Sequence, residues 1–185
     1  MEQQISEIDL VSRCKKGEEA AMRLLYDQLK PELMTVCRRY SRNDPDAKDV
    51  FQEGFARIIN NIGRFNFRGE GSIRAWAVKI MVNESLMRLR KKGPEIFAEQ
   101  FAEDIADPEP EDVVKIPEKV LLKMISELPD GCRTVLNLFA FEKMKHDEIA
   151  AALGITKQTS STQLMRARKL MAMKIKQYRQ NEDKR

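Results

Sequence analysis

The chain has 185 residues, of which 42% are hydrophobic and 34% charged, and a formal net charge of +4. That length suits one or two domains with packed cores, and no stretch approaches the roughly 20 consecutive apolar residues that cross a bilayer. One histidine, His146, and three isolated cysteines, Cys14, Cys37 and Cys132, argue against a His-based metal site, Ser-His or Cys-His catalysis and a disulfide framework. No GxxxxGK or GxGxxG phosphate loop occurs. The acidic opening "MEQQISEIDL" lacks the apolar core of a signal peptide, so the expected location is cytoplasmic.

Charge is sorted along the chain. Residues 1–92 hold 18 Lys/Arg against 13 Asp/Glu, and residues 118–185 hold 14 against 8. Between them, "GPEIFAEQFAEDIADPEPEDVVKIP" holds one lysine against eight acids and four prolines. Without a sustained period, this segment reads as a flexible acidic linker over residues 93–117. A solvated tether is its simplest role. The expected architecture is all-α, with small helical domains over residues 1–92 and 118–185.

The first elements are a short helix over residues 8–14 and a longer apolar-periodic run over 18–41. In that run Met22, Leu25, Leu29, Leu33 and Val36 recur at helical spacing, and Pro31 is expected to break or kink it. "NDPDAKDVFQEGFARIINNI" begins a third helix, with Asp44 as cap, Pro45 at the first helical position and Asp46 at the positive end. Phe51, Phe55, Ile58 and Ile62 form one stripe; Asp49, Gln52 and Glu53 fall opposite. Those three either solubilise the helix or dock on a basic partner.

"RFNFRGEGS" interleaves Arg64, Phe65, Phe67 and Arg68, a composition that suits single-stranded nucleic acid as well as ordinary core packing. A helix capped by Ser72 follows, stopped by Gly93-Pro94. It is apolar on two flanks, which places it centrally in a bundle. Its polar seams are Arg74, Ser85, Arg88 and Lys92, and Lys79, Asn83 and Arg90. Trp76, taken alone, is a core residue.

In the second domain, amphipathic helices are expected over 118–127 and 131–139, separated at Leu128-Pro129. "KHDEIAAALG" gives a short helix ended by Gly154, and Thr156 caps the next. Helix, glycine turn and longer helix make the helix-turn-helix pattern. On the last helix Ser160, Leu164, Ala167 and Met171 cluster inward. Gln158, Ser161, Thr162, Met165, Arg166 and Lys169 fall opposite. Short hydroxyls and an amide near a helix start can reach base edges, and the later cations can reach phosphate or guanine. A generic polar face is the alternative.

Three of these segments, in order, carry a resemblance. "DAKDVFQEGFARI", "FRGEGSIRAWAVKIMVNE" and "ISELPDGCRTVLNLFAFEKMKHDEIAAALGITKQTSSTQLMRARKLM" resemble the core-binding, promoter-melting and helix-turn-helix segments of bacterial RNA polymerase sigma factors of the extracytoplasmic-function class. The likeness runs over about residues 8–178. It implies a non-enzyme that directs promoter-specific initiation, with no cofactor and no metal. The implied partners are core RNA polymerase, through its β′ and β subunits, promoter DNA, and an anti-sigma factor.

By the same resemblance Asp49, Gln52 and Glu53 would face β′. Arg68, Lys79, Asn83 and Arg90 would lie at the −10 element, with the loop before Ser72 receiving a flipped base. Gln158, Ser161, Thr162, Met165, Arg166 and Lys169 would meet the −35 element. The linker would thread the RNA path of polymerase, its acidity mimicking a nascent transcript.

The chain departs from the family at Lys145, where a Ser cap is common, so this helix start is expected to be looser. It departs again at Ser160, Ser161 and Gln163, where Val and basic residues are frequent, which points to weaker phosphate contact. The runner-up function is a stand-alone helix-turn-helix regulator, which would bind duplex DNA tightly by itself. A protein-only helical adaptor would lack salt-dependent DNA affinity.

Overall fold

A computed structural model describes residues 5–97 and 116–182. The chain divides into two compact units, Met1–Met87 and Arg88–Arg185. Among the described residues regular structure is entirely helical, as the residue pattern requires. The central part of the acidic linker, residues 98–115, lies outside the described residues.

The first unit contains α1 (Glu7–Lys15), α2 (Glu19–Tyr40), α3 (Asp44–Asn61) and most of α4 (Ser72–Arg90). Ser6 caps α1, its Oγ accepting the Asp9 N–H at 3.2 Å. α1 buries Leu10, Val11 and Cys14. α2 is not broken at Pro31 but runs through it. Loss of one backbone donor costs less than exposing a face on which Leu25, Leu29, Leu33, Val36 and Cys37 are all buried. The Thr35 hydroxyl donates to the Pro31 carbonyl at 3.1 Å.

Asn43, not Asp44, caps α3, accepting the Asp46 N–H at 2.8 Å. Asp44 is instead the first helical residue and pairs with Arg38 (2.9 Å) and Lys48 (3.1 Å). Hydrogen bonds from those two cations hold its carboxyl below the usual range. Tyr26 meets Phe51 and Phe55 edge-on, at centroid distances of 5.5 and 4.9 Å. A short 3-10 turn, Ile62–Arg64, closes α3.

α4 is packed on two flanks. Ile73, Ala77, Met81, Val82, Leu86 and Leu89 are all buried. Ser85 is also buried and belongs to no exposed seam; its hydroxyl donates to the Met81 carbonyl at 2.8 Å. Ser72 is the first residue of the helix rather than its cap. The Glu7 carboxylate of α1 takes over the capping role, accepting the Gly71 N–H at 2.6 Å and the Ile73 N–H at 3.0 Å.

The second unit contains α5 (Glu118–Ser126), α6 (Asp130–Ala140), α7 (His146–Leu153) and α8 (Lys157–Glu182). Ile116, Met124 and Ile175 form one apolar cluster, and Leu128, Cys132 and Ala167 another. Arg133 is 1% exposed and ties the α5–α6 corner together. Its guanidinium donates to the Ser126 and Leu128 carbonyls at 3.0 and 2.7 Å and pairs with Asp130. Carbonyls at a helix C-terminus lack partners within the helix and carry partial negative charge, so a buried cation fits there.

The beginning of the acidic segment is seated on this unit and is not a free tether. Residues Pro94–Phe97 form a 3-10 turn. Phe97 is buried, and its carbonyl accepts from Gln163 Nε2 at 2.9 Å. Lys92 pairs with Asp130 at 3.0 Å. The backbone of α6 comes so near this turn that a Cβ on Gly131 would lie 2.7 Å from the Ile96 carbonyl oxygen; only glycine fits.

Two predictions follow from these cores. Arg133→Leu removes the buried partner of Asp130 and should destabilise the protein by about 3–5 kcal/mol, seen as a lower urea midpoint at unchanged slope. Burial pushes the Cys37 thiol up to about 12 from 9.0. The folded state therefore keeps a proton that the unfolded chain releases, so this contribution is full below pH 9 and declines from there toward pH 12. Cys37→Ala should flatten that decline by up to about 1.4 kcal/mol per pH unit, measured by denaturant titrations at stepped alkaline pH.

Candidate nucleic-acid interface

Three exposed faces gather the candidate residues. On α3, Asp49, Gln52 and Glu53 are exposed, while Val50, Phe51, Gly54 and Ile58 on the other side are buried. The helical period therefore leaves an acidic-amide strip with no part in the core.

The second face belongs to α4 and the segment before it. Arg68, Lys79 and Asn83 are exposed. Asn83 lines a cavity of about 300 Å³ together with Arg57, Asn61, Arg64, Trp76 and Met87. Trp76 is half-buried, and Phe65 packs against it at a centroid distance of 5.1 Å. Phe65 is buried and thus serves the core; Phe67, half-buried, retains some accessible ring. The buried Glu84 pairs with Arg57 at 2.5 Å, fixing that guanidinium at the cavity wall. Arg90 does not join this group, because its guanidinium donates to the Ala152 carbonyl within the second unit.

The third face is on α8. Gly154, at φ 68°, ends α7 in the left-handed region, which glycine enters without a Cβ clash. Thr156 Oγ1 then accepts the Thr159 N–H at 3.0 Å, capping α8. Gln158, Ser161 and Met165 are exposed; Thr162, Arg166 and Lys169 are half-buried. Ser160, Leu164 and Ala167 are buried and Met171 half-buried, so the inward face is the one its residue pattern gives.

The inward residues also account for two departures in α8. Ser160 Oγ lies 3.0 Å from Nδ1 of His146, whose ring stacks on Phe139 at 5.2 Å. A serine thus meets the one histidine of the chain where an aliphatic side chain would leave that nitrogen unmatched. Gln163 is 2% exposed and bridges the Phe97 carbonyl and the Cys132 thiol, which donates to its Oε1 at 3.0 Å. It is therefore committed to the interior and offers nothing to phosphate. The start of α7 is also closed, since the Lys145 N–H donates to the Glu148 carboxylate at 2.6 Å.

Arg168 is a residue that the pattern reading passed over. It is exposed, and its guanidinium sits 5.4 Å from the Phe139 ring centroid. It stands seven residues after Ser161 and three after Met165, so it shares their face; that spacing was visible in the sequence. Lys143 and Lys145, both exposed, line a neighbouring groove with Arg168, Phe139 and Leu164. Cations beside short polar side chains at the start of a long helix make a surface able to meet a nucleic-acid backbone and its base edges together.

Gln163→Leu keeps the bulk of the side chain and removes both hydrogen bonds. It should cost about 1–3 kcal/mol through the unpaired Phe97 carbonyl, detected as faster amide exchange in α6 and α8 with α2 and α3 unchanged.

Comparison with known proteins gives these faces a setting. Residues 25–95 match the family model for sigma-70 region 2, and residues 118–171 match that for sigma-70 region 4. The ECF RNA polymerase sigma-E factor of Haemophilus influenzae is 28% identical, covering 95% of this chain and 98% of that protein. The ECF RNA polymerase sigma factor SigW of Bacillus subtilis is 28% identical over 90% of this chain and 95% of its own. Among solved structures, sigma factor RpoE in complex with the anti-sigma factor NepR, from Bartonella quintana, is 20% identical with a TM-score of 0.49, covering 83% of this chain and 96% of that one. Two sigma-70 regions in order, and relatives matched nearly end to end, establish that the chain belongs to the sigma-70 family of RNA polymerase sigma factors, in its extracytoplasmic-function class.

Proposed function

We propose that this sigma factor divides its work among the three faces. Asp49, Gln52 and Glu53 on α3 dock against a basic surface of the β′ subunit. Arg68, Lys79 and Asn83 meet the opened −10 strand, with Arg90 available if it leaves the Ala152 carbonyl. Gln158, Ser161, Thr162, Met165, Arg166 and Lys169 on α8 read the −35 element, and Arg168 joins them. Residues 1–92 and 118–185 act as the two functional domains, with 93–117 connecting them inside polymerase and the second domain touching the β subunit. The chemistry of RNA synthesis belongs to polymerase, and the chain contributes specificity. An anti-sigma factor is its regulatory partner, and its site of action is the cytoplasm. No helix among the described residues is long and apolar enough to cross a membrane.

One observation carries the reading: the polar faces left over by core packing on α3, α4 and α8 fall within the segments matched to regions 2 and 4. A stand-alone helix-turn-helix regulator is not favoured, because it gives no role to a matched region 2.

The test is transcription in vitro with core polymerase, promoter fragments and variants of the chain. Asp49→Lys with Glu53→Lys should abolish co-purification with core while helicity is retained, since like charges would then face each other. Asn83→Ala should lower permanganate reactivity of −10 thymines more than it lowers core binding. On a randomised −35 library, Ser161→Arg should shift the preferred sequence toward guanine by roughly 1–3 kcal/mol. Lys169→Ala should weaken all promoters alike and reduce the salt slope by about one. A free chain that binds promoter duplex tightly and gains nothing from core polymerase would overturn the reading.

A further inference from the structure

The segment joining α3 to α4 is held at both ends by side chains of α1. At its start, Lys15 Nζ donates to the Phe65 carbonyl at 2.6 Å. At its end, one carboxylate, Glu7, accepts the Gly71 and Ile73 N–H groups at 2.6 and 3.0 Å, with the Ser72 hydroxyl at 3.4 Å. Between these ties the Arg68 N–H donates to Ser72 Oγ at 3.2 Å, so the backbone at Arg68 is fixed through the residue that Glu7 engages. The side chain of Phe65 is buried against Trp76.

Glu7 is itself well placed for this task. It is the first residue of α1, immediately after the Ser6 cap, and Leu10, Val11 and Cys14 anchor that helix in the core. A carboxylate at a helix N-terminus gains charge-assisted hydrogen bonds and a favourable interaction with the helix dipole. Its negative charge is thereby engaged by α4 at a place where an unengaged carboxylate would repel a nucleic-acid strand. The ties span sequence separations of 50 to 66 residues, so they are tertiary clamps rather than local turns.

We propose that α1 is a positioning element for promoter opening: Glu7 and Lys15 clamp residues 65–73 in the shape from which Arg68 and the start of α4 meet the displaced strand. The inference rests on the sigma-factor reading of that loop. Glu7 acts through the loop and touches no nucleic acid.

The experiment uses the full chain with core polymerase on two templates, a fully duplex promoter and the same promoter with a mismatched, pre-opened −10 region. Glu7→Ala should associate with core as the wild type does and transcribe the pre-opened template within about twofold of it. On the duplex it should lose about tenfold or more, the scale of one lost charge-assisted hydrogen bond. Glu7→Gln, which keeps one acceptor oxygen, should fall between. Amide exchange at residues 71–73 should quicken about tenfold or more while α2 and α3 stay unchanged. Should Glu7→Ala fold poorly, Lys15→Met releases only the Phe65 carbonyl and should give the same split between templates. Equal losses on both templates would make the clamp a general structural feature and overturn the proposal, as would faster exchange with duplex opening intact. A wild-type chain that binds core yet is silent on both templates would remove the sigma-factor reading itself, and the inference with it.

Discussion

A helix that is apolar on two flanks must be buried along its sides, and its polar ends must then find partners in three dimensions. That constraint on α4 organises the first unit. Its sides take up the apolar faces around them, with Met81 reaching both Cys37 of α2 and the small residue Gly54 of α3. The few polar groups drawn inside are matched one by one: Glu84 by Arg57, Ser85 by a backbone carbonyl of its own helix. The N-terminal amides, which no residue of α4 can satisfy, receive a carboxylate from α1. Burial of the helix and precision at its exposed start are thus one problem with one solution.

The second unit solves a related problem with a cation. At its corner between α5 and α6 the carbonyls of Ser126 and Leu128 receive their donors from the buried Arg133. The same network extends through Asp130 to Lys92, and through Cys132 and Gln163 to Phe97. The helix-turn-helix therefore also holds the beginning of the connecting segment, through Gln163 on the buried side of α8.

Much of this was legible from periodicity. Helix positions, the central place of α4, the glycine turn at 154 and the inward and outward faces of α8 all follow from spacing and turn chemistry, which act locally. What spacing does not carry is any interaction between residues distant in sequence. Ser72 looks like a cap because its residue type suits one, yet a residue 65 positions earlier serves that helix. Pro31 looks like a break because its local cost is plain and its tertiary compensation is not. Gln163 looks like a weakened phosphate contact by its place in the motif, and only the packed turn at Phe97 reveals an interior role. Arg168 was readable by spacing and lies beside the residues chosen from the same face.

The clamp on the α3–α4 segment has a consequence for where the first functional unit begins. The recognisable region 2 starts at residue 25, whereas Glu7 and Lys15 belong to a helix that ends before it. A fragment cut at the edge of the recognisable region would keep every residue of the match. It would release both ends of the loop and leave the first amides of α4 to water. The part of the chain that the region 2 model recognises is thus smaller than the unit that holds its own shape, and the difference takes in all of α1 and the first residues of α2.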